Sequence, residues 1–553
     1  MRRFWLLALV ACGGARSSRP TEPWSVTSER VLGHLYAISP SNAVSLGLHD
    51  YDGKLPEMSP SAIAADLAQL AEDRRALEAY SPATPLEREE RDTLLVGVRG
   101  AAFNLGDFDV RHTNPMDAAN DFNLDAFILR DYAPAETRAA AIVKLCSAAT
   151  PHLQESASGM KLPIPKPWVE TAIMMYKGLA DFADHDVRAA FPAPPPDLGP
   201  ALDACKAAFL AHAAWLEQQL PHATDAYALG THKFLEMLEE TQGIKIDLKT
   251  LDQIAHADLD RNTKAIEEAA RAIDPKKSTA EVVAQVLSDR PPPADVLALA
   301  ETQATELRAF LIDHHIVSVP GTDVAIVKET PPFARWNAAS LSGVGPFETK
   351  SLPSYYYISP PDPTWTPEVQ AAYVPSKMTL LFTTIHEVYP GHFVHSLHVN
   401  RIHSRVEQAL WSYTTGEGWA HYTEEMMYDA GAGGHTPQAH VGQLTEALLR
   451  NVRFVVAIGE HTAGLSEPDA EQLFAKHAFL DPGNAKQQAI RGTFDPMYLA
   501  YTVGKLAIMK MRRDWQAKHP NGTPQEFHDA FLAHGGAPLP VIRRALLGDD
   551  ALL

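Results

Sequence analysis

The sequence predicts a mainly α-helical protein with one small β element placed next to its most chemically loaded helix. Three observations lead there. From about residue 57 to 315, apolar residues recur at helical spacing with few interruptions. Strand-like runs are confined to a short window after residue 321. From Pro375 to the C-terminus the helical pattern returns.

In chain order, PSAIAADLAQLAEDRRALEAY, REERDTLLVGVRGAAFNL, ETRAAAIVKLCSAA and DVLALAETQATELRAFLIDHH each present one apolar face at a 3.6-residue period. The proline clusters AFPAPPPDLGP and DRPPPAD read as connections between helices, because helical patterns resume on both sides. GTDVAIVKETPPF alternates briefly, and SLPSYYYISPP suits an extended segment through Tyr355, Tyr356 and Tyr357. As an edge strand, Tyr356 and Tyr357 would pair with extended peptide; a plain core strand fits the same residues. The whole reads as one helical domain over 26–553, with the change near 321 marking two lobes, about 26–320 and 321–553.

With 553 residues, 46% hydrophobic and 21% charged, the chain can bury a large core, which excludes general disorder. A net charge of -20 argues against nucleic acid or an anionic membrane surface as its main partner. At the N-terminus, Arg2 and Arg3 precede an apolar run from Phe4 to Ala11 that is too short to span a bilayer, as in an export signal. Leu9-Val10-Ala11-Cys12 resembles the bacterial lipobox, which implies a signal peptide over 1–11, lipid on Cys12 and a tether over 12–25. Gly13 after the cysteine implies, by the same resemblance, the outer membrane facing the periplasm. The lipid would then be the sole membrane attachment. An oxidising compartment could pair Cys146 with Cys205, although cysteines in alanine-rich helices are more often simply buried.

The stretch HEVYPGH at 386–392 places two histidines six residues apart. On a straight helix they would point in different directions, since shared faces come at i+4. Pro390 breaks the helix ladder and Gly391 relaxes the backbone, so a π-like bulge or break could return His392 to His386. Catalytic zinc takes three protein ligands and keeps an open position. Thirty-one residues beyond His386, TTGEGWAHYTEEMMYD offers Glu417 as the third, with His421 and Glu424 on the same helical face. Glu387 would lie beside the metal without binding it, as a base that moves a proton from water to a leaving amine.

HEVYPGH together with EGWAHYTE resembles the bacterial domain-of-unknown-function family 885, whose members are zincin-like metallopeptidases by motif and in many cases lipoproteins. LHDYDGKLPEMSP and RGTFDPMYLAYTVGKL extend the resemblance over most of the mature chain. It implies a gluzincin-like helical metallopeptidase fold, distantly like carboxypeptidase Taq and angiotensin-converting enzyme. It also implies one zinc ion held by His386, His392 and Glu417, with Glu387 as base. The chain departs from the family pattern at His395, at Pro496-Met497-Tyr498 and at Ala457, changes that bear on the substrate pocket more than on the metal site.

Around such a centre, Tyr501 is the first candidate to donate to a developing oxyanion and His461 the second. Arg491 could hold a substrate carboxylate bidentately. Glu424 reads as orienting a ligand histidine, and His421 is ambiguous between that role and ligation. His395 and His398 form an alternative pair with no obvious carboxylate. The expected activity is hydrolysis of peptide bonds in the cell envelope. The alternatives are a catalytically silent binding lipoprotein and a zinc amidase acting on cell-wall fragments.

Overall fold

The computed structural model describes residues 22–553 apart from 332–334 and 336–337. The export signal, Cys12 and most of the tether lie outside the described residues. The first helix, Trp24–Ile38, already begins at Trp24, whose side chain is buried.

The protein is mainly helical with one small sheet. The helices start where the sequence supplies caps: Ser59 accepts from the Ala62 amide ahead of Pro60–Ala79, and Thr84 from the Glu87 amide ahead of Pro85–Ala102. Both place proline in the first turn, where its missing N–H has no partner to lose. The helices Ala135–Gly159 and Lys166–Phe182 both pack on Leu198–Glu217 around a core that includes Phe122, Tyr176 and Phe209.

Within that core, Cys146 and Cys205 form a disulfide with Cα atoms 4.7 Å apart. The bridge closes a segment of 59 residues, and constraining the unfolded chain to that extent stabilises the fold by about 4 kcal/mol in the chain-entropy account. Thermal unfolding with and without reductant should therefore differ by several degrees, the oxidised form melting higher. Identical melting curves would contradict the bond.

A second, larger core joins Phe234 and its neighbours to residues as late as Leu552. The change of sequence character near residue 321 thus runs through the middle of this core rather than between two separate ones. A third, smaller core pairs the N-terminal helices with Val406 and Ala409.

The sheet has three strands: β1 (Ala325–Glu329), β2 (Ala339–Ser342) and β3 (Ser354–Ile358), in the order β1-β3-β2. β3 runs parallel to β1, pairing Tyr355 with Ile326, and antiparallel to β2, pairing Tyr356 with Leu341. The expected strands at 325 and 354 are present, but the tyrosine strand is central rather than an edge. Tyr356 is fully buried and shares a hydrogen bond with Thr384 Oγ1 at 3.2 Å, and Tyr357 is 6% exposed. Neither can pair with a substrate strand, because both sides of β3 are occupied. The edges are β1 and β2, and Arg130 holds β2 by donating to the Ser342 carbonyl at 2.6 Å. Among the described residues, no helix is long and apolar enough to cross a membrane.

Candidate metal centre

The first ligand helix, Lys377–Glu387, is capped by Ser376, which accepts from the Thr379 amide at 3.0 Å. It stops at Val388, whose backbone leaves the helical region, and the Tyr389–Pro390 peptide that follows is cis. A new helix, His392–Val399, starts behind Gly391. The connection is a full break, not a bulge. Its tightest point is Gly391, where a Cβ would lie 1.7 Å from the His386 carbonyl oxygen, so only glycine fits. The break returns His392 to His386, with ring centroids 4.9 Å apart and planes at 88°.

The second ligand helix, Tyr413–Asp429, presents Glu417 to both rings. Glu417 Oε2 lies 3.4 Å from His386 Nε2 and 3.4 Å from His392 Nε2. Glu424, on the same face and fully buried, sits 2.7 Å from His386 Nδ1. An ionised carboxylate only accepts, so Nδ1 carries a proton and Nε2 is the nitrogen turned toward Glu417. Arg450 approaches Glu424 at 3.5 Å and pairs with Glu446, holding the carboxylate ionised in a buried place. Glu417 Oε2 is itself a buried oxygen with no hydrogen-bond donor. A buried carboxylate oxygen set 3.4 Å from the Nε2 atoms of two imidazoles is a donor set that could hold a divalent metal ion. His392 and Glu417 remain 17% and 19% exposed, so the open side of the group reaches solvent.

Glu387 follows His386 and accepts the Leu341 amide of β2 at 2.9 Å. Tyr501 lies on the other flank: its ring stacks on His386 at 6.3 Å and 21°. It begins the helix Ala500–Lys518, which crosses the second ligand helix where Gly418 meets Gly504, a Cβ on the former falling 2.5 Å from the Cα of the latter.

The family model for bacterial proteins of unknown function, DUF885, matches residues 40–546. The chain belongs to this family. No curated protein matches it. Solved structures share its fold, among them these two. One is a candidate lipoprotein of unknown function from Shewanella oneidensis, at 21% identity and TM-score 0.79, covering 95% of this chain and 100% of that one. The other is a candidate lipoprotein from Colwellia psychrerythraea, at 16% identity and TM-score 0.83, covering 95% and 98%. An M32 carboxypeptidase from Deinococcus radiodurans R1 aligns over 96% of both chains at 13% identity and TM-score 0.40, a likeness too loose to carry an argument.

In this DUF885 protein the remaining expected residues divide. His421 is no ligand: it is fully buried with Nδ1 3.1 Å from Glu424 Oε2, and burial pushes it down to about 4, so it stays neutral and braces Glu424. His461 does not face the ligands as an oxyanion donor. It is 1% exposed, its Nε2 donates to the Gly492 carbonyl at 2.8 Å and its ring stacks on Phe234, which makes it a packing residue. Arg491 lies near the centre, but a carboxylate already occupies it: Nε meets Asp495 at 2.9 Å, and Nη2 donates to the Tyr413 hydroxyl at 3.0 Å. His395 and His398 donate to the Gly535 and Ser318 carbonyls and form no metal site.

Two residues that the sequence reading passed over, Arg450 and Arg453, complete the surroundings of Tyr501, lying 5.7 Å and 5.0 Å from its ring centroid. Their i, i+3 spacing on the helix Pro437–Ile458 was the available signal.

A second acidic group, Glu89, Glu407 and His534, also brings its ligand atoms within 4.8 Å of one another. Burial, with Glu89 beside it, pushes Glu407 up to about 10, so Glu407 holds a proton and can share it with Glu89. The pair is balanced without a metal.

At His386, burial disfavours the cation, but the neighbouring carboxylates of Glu417 and Glu424 outweigh it and raise the group to about 10, so the metal-free ring also carries a proton on Nε2. A metal must displace that proton, so apparent zinc affinity should fall as pH falls, by about tenfold per unit between about pH 9 and 6. Competitive zinc titration across that range checks it; a flat profile would exclude His386 as a ligand.

Proposed function

We propose that this chain is a zinc-dependent peptidase of the cell envelope, held there by lipid on Cys12. The observation that supports it best is the donorless Glu417 oxygen set between the Nε2 atoms of His386 and His392, with Glu387 next to it. Bound there, zinc would supply Lewis acidity, activating water for attack and polarising a peptide carbonyl. The chain's own residues then have separate tasks. Glu387 takes a proton from the attacking water and delivers it to the departing amine nitrogen. Tyr501 offers its hydroxyl to the oxygen that gains charge. β2 supplies an edge next to Glu387 that no described strand covers, where an extended peptide can align its backbone with the outward groups other than the Leu341 amide, which Glu387 already accepts from. The basic group behind Tyr501 makes this end of the site attractive to anions.

Metal analysis of wild type and of His392→Ala tests the reading together with a peptide-library screen. One zinc per chain, lost in the variant, and cleavage that follows the zinc are expected. Wild-type protein that takes up no zinc, or zinc-loaded protein that cleaves no peptide in the library, would overturn it.

A further inference from the structure

Three arginines surround Tyr501, and their anions do not balance. Arg450 has Glu446 and Glu424. Arg491 has Asp495. Arg453 is only 7% exposed, yet its one hydrogen bond within the protein runs from Nε to the neutral Gln488 amide oxygen at 2.9 Å. No carboxylate pairs with it, and its terminal nitrogens donate to nothing among the described residues. Its guanidinium instead lies 5.0 Å over the Tyr501 ring, the ring that stacks on His386. Burial and the neighbouring Arg491 charge both act against its cation. A buried guanidinium is costly to desolvate unless an anion meets it, and a two-oxygen carboxylate fits its fork.

We infer that Arg453 is the binding residue for a carboxylate of the peptide substrate, held one aromatic ring away from the metal ligands. This inference rests on the peptidase reading and sharpens it. A carboxylate fixed so close to the reacting centre restricts cleavage to bonds near that group, so the substrate class is short peptides cut next to a free C-terminus or next to an acidic side chain. Arg491, with its donors turned to Asp495 and Tyr413, sets the field around the subsite without contributing the clamp.

Binding rather than turnover tests this directly. The zinc-loaded Glu387→Gln protein is titrated calorimetrically with tetra-alanine, with tetra-alanine amide, and with the amide of Ala-Ala-Ala-Glu. The same three peptides are then run against Glu387→Gln combined with Arg453→Met, and with Arg453→Lys as a control that keeps the charge. Charge-assisted hydrogen bonds of this kind are worth about 10- to 100-fold in affinity. Tetra-alanine should therefore bind about 10- to 100-fold tighter than its amide, with the preference lost in Arg453→Met and partly kept in Arg453→Lys. Preference for the glutamate amide, lost in the same variant, would place the carboxylate on a side chain and keep the inference. Equal binding of all three peptides to the Arg453-containing protein overturns it, and that comparison does not depend on whether the methionine variant folds. If the protein takes no zinc but still prefers the acid through Arg453, the peptidase reading fails and the carboxylate site stands.

Discussion

Glu387→Gln should abolish peptide cleavage while leaving zinc in place. The substitution preserves the size of the side chain and removes the group that moves the proton, so kcat should fall by about 10²–10⁴-fold. Glu387 is not a ligand: the three groups that converge are His386, His392 and Glu417, and its own contact in the protein is the Leu341 amide. Zinc stoichiometry and melting temperature should therefore match wild type within the effect of losing one charge-assisted hydrogen bond. Steady-state kinetics with metal analysis on the same preparation separates the outcomes. Undiminished turnover would remove Glu387 from the mechanism, and parallel loss of zinc would recast it as a ligand.

Gly391→Ala should cost the site its metal although every ligand side chain remains. The added Cβ would lie 1.7 Å from the His386 carbonyl oxygen and 2.6 Å from that of Ile385, both backbone atoms with little freedom to retreat. The chain between the two histidines has to open, and zinc tolerates displacements of only about 0.2 Å in its ligand distances. A loss of zinc affinity of about 100-fold or more follows, larger than removal of a supporting hydrogen bond usually causes. Titration with a competing chelator measures it. Wild-type affinity in this variant would mean that the break between the helices does not set the ligand geometry.

Much of this was readable from the sequence, for identifiable physical reasons. Helices announce themselves through periodicity and caps, and Ser376 with Lys377–Glu387 illustrates both. The three converging ligands were readable because HEVYPGH supplies its own break and Glu417 sits on a separate helix at a practicable distance. What escaped depends on neighbours distant in sequence. The tyrosine run is recognisable as a strand, but nothing in it says that β1 and β2 cover both its sides. β2 itself, ASLS, has little strand propensity and exists because β3 offers it a ladder. His461 looks like a catalytic histidine until its ring meets the Gly492 carbonyl. Arg491 and Asp495, four residues apart on one helical stretch, could have been paired in advance, which would have drawn attention to Arg453 instead.

The contact between Gly418 and Gly504 has a mechanical meaning. With no side chain between the two backbones, the crossing is a fulcrum for the helix Ala500–Lys518. Tyr501 sits three residues from it, a lever of about 4.5 Å, and Lys518 fourteen residues away, a lever of about 21 Å. A tilt that carries the far end of the helix by 1 Å moves the Tyr501 backbone by roughly 0.2 Å. A displacement at the far end of this helix would therefore reach the Tyr501 backbone reduced about fivefold.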